Sequence, residues 1–180
     1  LMAATYAITK QILHKPPAII IQAGISGCID EKLNLGEVVV VKDEVVGDIG
    51  VMENKAFKTL FDLNLLQKDD QPWKNGKLVN TNKNLLLSSG LKQVHAVSVH
   101  EISTHPKRIQ YYKESLQAQI EHMEGAALHF VGIMEGIPFL QIRSVSNLAS
   151  VRDKTKWKLD ESITNLNNEL QKMISQLIKE

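Results

Sequence analysis

Residues 37–46 (EVVVVKDEVV) contain four consecutive valines and two more at 45 and 46, and no other stretch restricts the fold as tightly. β-Branched side chains favour strands. A strand with one wet face alternates polar and apolar residues, so an unbroken run belongs to a strand buried on both faces of a covered sheet. Similar short runs predict strands at 18–22 (AIIIQ), 94–99, 118–122 and 139–145 (FLQIRSV). Between them lie helical patterns. Residues 1–12 end before Pro16-Pro17, 105–115 follow Pro106, and 123–135 stop at Gly136-Ile137-Pro138. At the C-terminus, Ile163, Leu166, Leu170, Met173, Ile174 and Leu177 recur at three- and four-residue steps, predicting a helix laid across the sheet. Residues 54–66 are expected to form a short helix, and 67–84, with Asp69-Asp70, Pro72 and Asn75-Gly76, a long surface connection. Alternating strands and helices imply one α/β domain over 1–180, three-layered α/β/α with a mixed, mostly parallel central sheet.

Composition narrows the partners. The chain has 180 residues, of which 43% are apolar and 23% charged, and its formal net charge is +1. That balance gives no electrostatic pull toward nucleic acid or an acidic membrane. A small molecule, or another copy of the chain, is the expected partner. One cysteine, Cys28, cannot form an internal disulfide, and no apolar run reaches the roughly 20 residues needed to span a bilayer. Both fit a cytoplasmic protein. The chain opens in a helical pattern without an initiator methionine, so a further segment carrying at least one strand is expected before it.

Three segments collect the unusual residues, and each is expected in a loop directly after a strand: 23–27 (AGISG), 121–127 (EHMEGAA) and 143–147 (RSVSN). Ligands of such sheets bind at strand ends. Gly24 and Ser26 belong to a stretch whose backbone N–H groups can approach a ligand closely, although a tight turn would need the same residues. Glu124 opens a helix backed by small residues, where its charge suits the positive end of the helix dipole whether or not a ligand is present. Met123 would ordinarily fill a core. Glu121, His122 and Glu124 match no common metal-ligand spacing, and His95, His100 and His105 are scattered in a way that suits structural or exposed roles. Asn147 could equally cap a turn.

In order and together, 22–28 (QAGISGC), 122–128 (HMEGAAL) and 143–147 (RSVSN) resemble the nucleoside phosphorylase and nucleosidase superfamily over nearly the whole chain. The resemblance implies that Met123 packs on a ribose, Glu124 accepts hydrogen bonds from its hydroxyls, and Asn147 handles the purine. Two departures refine it. Gln22 stands where phosphorylases of this type often carry an arginine, which favours water over phosphate as nucleophile. Asn147 stands where adenine-directed nucleosidases usually carry an aspartate. An amide offers N–H to a six-oxo group and C=O to a ring N–H, a pattern matching hypoxanthine. The futalosine hydrolases are the branch this pattern resembles most, and 152–157 (RDKTKW) is similar to their continuation. That implies no metal or organic cofactor, a homodimer or larger homo-oligomer, and a basic residue for the substrate's benzoate, with Arg152 and Arg108 as candidates. The water-activating carboxylate of the family is expected before residue 1, with Glu121 the one substitute near the motif, and Arg143 is expected in a structural ion pair.

Overall fold

The computed structural model describes residues 1–54 and 56–177. Five helices, α1 (Met2–His14), α2 (Lys83–Ser88), α3 (Pro106–Glu114), α4 (Gly125–Met134) and α5 (Leu159–Leu177), surround eight strands: β1 (Ile20–Cys28), β2 (Val38–Val46), β3 (Gly50–Glu53), β4 (Ala56–Thr59), β5 (Leu78–Val79), β6 (Lys92–Ser98), β7 (Ile120–His122) and β8 (Phe139–Leu148). The central sheet has the order β5-β2-β6-β7-β1-β8, and β2 also pairs with β8. That last pairing closes five strands on themselves. The sheet is mixed as expected: the long β1–β8 and β2–β6 pairings are parallel, while β7 runs antiparallel to β1 and β8 to β2.

Closure divides the core into an inside and an outside. Val39, Val41, Val94, Ala96, Ile120, Val145 and Cys28 fill the interior. Val40, Leu140 and Ile142 point outward, under Leu166 and Met173 of α5, and Val97, Ala118 and Ala149 pack under Tyr112 of α3. The valine run is therefore buried on both faces because one face lines a closed barrel and the other meets helices. α1 lies against α4. Gly136, at φ 64°, ends α4 in the left-handed conformation that a glycine adopts without steric cost.

Two one-residue slips steer the side chains. On β2 the register moves from Val41↔Val94 to Asp43↔His95, leaving Lys42 unpaired and exposed. On β8 it moves from Ser26↔Val145 to Gly27↔Asn147, leaving Ser146 over. A bulge reverses which face the following residues occupy. The first slip delivers Glu44 to the barrel interior, and the second puts Asn147 in register with Gly27.

Several expectations require correction. Residues 23–27 lie inside β1 and 143–147 inside β8, not in loops after strands. The glycines there serve close approach between strands, which looks in the sequence like turn chemistry. The described residues of 54–66 form no helix; Ala56–Thr59 pairs with Gly50–Glu53 as a hairpin held on α3 by the edge-on contact of Phe57 and Tyr111. The 67–84 connection contains β5 and the start of α2. On α5 the buried line runs through Ser162, Leu166 and Met173 with Leu170 half-buried, while Ile163 and Ile174 face solvent. The side chain of Leu177 lies outside the described residues.

Candidate active site

The site follows β1. At its first half, Gln22 and Gly24 are flanked by Glu124 at the β7–α4 junction and by Arg143 on β8. Arg143 Nη2 donates to Gln22 Oε1 at 2.6 Å, and Gln22 Nε2 lies 3.4 Å from the Glu124 backbone oxygen. Gly24 is the seat for this arginine, because a methyl group there would collide with Arg143 Nη1. Arg143 is 3% exposed and its Nε has no partner. The ion pairs among the described residues all involve lysines or histidines, so the expected structural ion pair of Arg143 is absent. Burial lowers its pKa, and the charges of Glu44 and Glu124 oppose that shift. The segment that seemed to lack a cation thus has one supplied from the neighbouring strand.

Glu124 and Met123 are exposed at the β7–α4 junction. Met123 is 37% exposed, which is more than a core-filling methionine would be. Glu124 is the N-cap of α4 without making a side-chain cap bond. Its carboxylate is an exposed acceptor close to the Arg143 charge, a suitable arrangement for binding vicinal hydroxyls.

Beneath α4 lies a buried polar cluster that the sequence reading missed. Glu44 is 0% exposed, yet its carboxylate accepts hydrogen bonds from Ser98 Oγ at 3.0 Å and Gln141 Nε2 at 2.8 Å, and it faces His122 Nε2 at 2.7 Å. His122 Nδ1 accepts from the Gly125 N–H at 3.2 Å, which places the imidazole proton on Nε2, toward Glu44. Burial lowers the His122 pKa against the opposing pull of Glu44. Burial alone would raise the Glu44 pKa, but His122, His129 and Gln141 outweigh it and hold the carboxyl below its ordinary range. Ser98 Oγ also accepts from the Ala126 N–H at 2.8 Å. Two N–H groups in the first turn of α4 are therefore fixed by side chains of β6 and β7, which sets where Met123 and Glu124 sit. The only hint in the sequence is an acidic pair inside a strand that must be buried on both faces.

At the second half of β1, Gly27 pairs with Glu121 of β7 on one side and with Asn147 of β8 on the other. Asn147 is 7% exposed. Its Oδ1 accepts from Ser146 Oγ at 2.8 Å and its Nδ2 donates to the Leu148 carbonyl at 2.9 Å. Ser26 is buried, with its Oγ unpartnered. Glu121 is 3% exposed, and its Oε2 has no partner. Burial raises its carboxyl to about 7, with only Arg152 pulling the other way. Arg152 lies over the Trp157 ring at 5.6 Å, whereas the Arg108 guanidinium is held between Phe57 and Tyr112 at 4.9 and 6.0 Å.

The three scattered histidines have partners: His95 bonds Asp43 at 2.7 Å, His100 bonds Asp48 at 3.1 Å, and His105 caps α3. A cavity of about 570 Å³, lined by Phe61, Leu66, Trp73, Tyr111 and Leu116 among others, includes none of the predicted site residues. None of the described helices is long and apolar enough to cross a membrane.

Over residues 2–179 the chain matches the model of the phosphorylase superfamily, and it belongs to that superfamily. Its similarity extends to N-glycosyl hydrolases. It is 26% identical over 179 residues to the futalosine hydrolase of Thermus thermophilus, a match covering 96% of this chain and 76% of that one. The futalosine hydrolase mutant of Helicobacter pylori superposes with a TM-score of 0.73 at 18% identity, covering 96% of this chain and 74% of the other. A methylthioadenosine/S-adenosylhomocysteine nucleosidase of Colwellia psychrerythraea in complex with adenine gives 0.78 at 18% identity, covering 98% and 74%. At these identities the structural likeness establishes the fold.

Proposed function

We propose that this chain is a nucleosidase that hydrolyses the N-glycosidic bond of futalosine, releasing hypoxanthine in the futalosine route of menaquinone biosynthesis. The observation that carries the reading is Asn147, a buried amide in register with Gly27 in the second half of β1. The identity to the Thermus protein supports it. On binding, the Asn147 amide exchanges its bonds to Ser146 and Leu148 for the six-oxo and ring N–H groups of the base. Glu124 holds the ribose hydroxyls and places negative charge near C1′ as an oxocarbenium ion develops, with Met123 against the sugar. Gly24 and Ser26 belong to the strand beneath the nucleoside. Arg152, lying on Trp157, and Arg108, held between Phe57 and Tyr112, are the candidate cations for the benzoate. The protein acts as a cytoplasmic homo-oligomer.

The test is hypoxanthine release from futalosine by the full-length protein, with and without phosphate, beside inosine and methylthioadenosine. Phosphate-independent release from futalosine, with little from the controls, is expected. Phosphate-dependent release from inosine would make it a phosphorylase, and preference for methylthioadenosine would move it to the adenine-directed nucleosidases.

A further inference from the structure

Departure of a purine anion leaves the N-glycosidic electron pair on the base, and a proton delivered to a ring nitrogen stabilises it. The Asn147 amide has no acidic proton to give. Across the same glycine stands a group that has. Glu121 pairs with Gly27 on the side opposite Asn147, and a methyl group at Gly27 would sit only 3.2 Å from Glu121 Cγ and 3.4 Å from its Oε1. The missing side chain at 27 therefore lets the Glu121 side chain lie against β1 in register with Asn147, with Oε2 buried and without a partner. A buried carboxyl in that condition is costly to keep as an anion and suited to remaining an acid. Arg152, after β8, is the charge acting on it, and Tyr112, from α3, is the titratable neighbour on which its own charge acts.

Resting on the nucleosidase reading, we infer that Glu121 is the general acid for the leaving purine, working beside Asn147, which only orients the base. As the C1′–N9 bond breaks, its electron pair passes to the purine and the Glu121 carboxyl proton moves to a ring nitrogen. Water forms the new bond to C1′ and loses a proton, which restores the acid. Burial raises the Glu121 carboxyl to about 7, so turnover falls as pH rises through that region.

The experiment compares wild type, Glu121→Gln and Glu121→Asp in the full-length protein, using kcat and KM for futalosine and inosine from pH 5 to 9 and a melting temperature for each. Glu121→Gln is expected to lower kcat about 10²- to 10⁴-fold at pH 6 with KM nearly unchanged, and to abolish the alkaline fall in kcat. Glu121→Asp keeps that limb at reduced rate. A folded Glu121→Gln enzyme with kcat within threefold of wild type, or an alkaline limb surviving the substitution, overturns the inference while leaving the nucleosidase reading intact. Absence of purine release by the wild type overturns both.

Discussion

A single methyl group at Gly125 tests whether the cluster under α4 positions the site. Gly125 is the first residue of α4, where alanine should be favoured over glycine by up to about 1 kcal/mol. The structure reverses that sign. The added carbon would collide with His122 Cε1, Gln141 Nε2 and Glu44 Oε1 together. These three side chains are buried and bonded to one another, so none can yield without opening the pairing of Glu44. Breaking a buried charge from its partner costs roughly 3–5 kcal/mol. After the helix gain, Gly125→Ala should be about 2–4 kcal/mol less stable, which for a chain of this size is roughly 5–15 °C in melting temperature. If the start of α4 shifts instead, Met123 and Glu124 shift with it, and kcat/KM falls in the fraction that remains folded. Urea and thermal unfolding followed by circular dichroism, with nucleoside turnover on the same samples, measure both. A variant as stable as wild type with unchanged turnover would refute the claim that this network fixes the helix.

Other outcomes follow from the same geometry. Glu124→Gln should lower kcat about 10²- to 10³-fold while changing stability by less than about 0.5 kcal/mol, because the carboxylate is exposed and makes no cap bond; steady-state kinetics and a melting curve check the two together. Asn147→Asp should shift the kcat/KM ratio of methylthioadenosine to inosine toward the adenine nucleoside, read as base release from each substrate. Glu121 has its carboxyl raised from 4.5 to about 7 by burial. The unfolded chain therefore holds fewer protons between those values, and the stability that this group contributes below 4.5 is lost as pH rises through 7. Glu121→Gln should consequently gain on wild type between pH 5 and pH 8, by up to about 3 kcal/mol, measured as the difference in urea unfolding free energy at the two pH values.

Much of the fold is legible in local pattern. The valine run, the β-branched stretch before Gly24 and the FLQIRSV segment are strands, and α1, α3, α4 and α5 fall where proline, glycine and the apolar spacing put them. The segment from 48 to 84 was less legible, because hairpin β3–β4 is mostly exposed and owes its place to Phe57 on Tyr111 rather than to its own pattern. Gly24 and Gly27 were legible as sites of close approach but not as strand residues, since the bodies that approach, Arg143 and Glu121, lie more than ninety positions further along the chain.

The sequence by itself determined the covered mixed sheet, the junction that presents Met123 and Glu124, and the amide at 147, because side-chain stiffness, helical spacing and hydrogen-bonding capacity are properties of residues and their near neighbours. Only the tertiary structure decided the slips at Lys42 and Ser146, the pairing of Glu44 with His122, the lone charge of Arg143 and the placing of Glu121 across Gly27 from Asn147. Strand register is set by which chains meet and how tightly they pack, and a one-residue slip exchanges the faces of every residue that follows it.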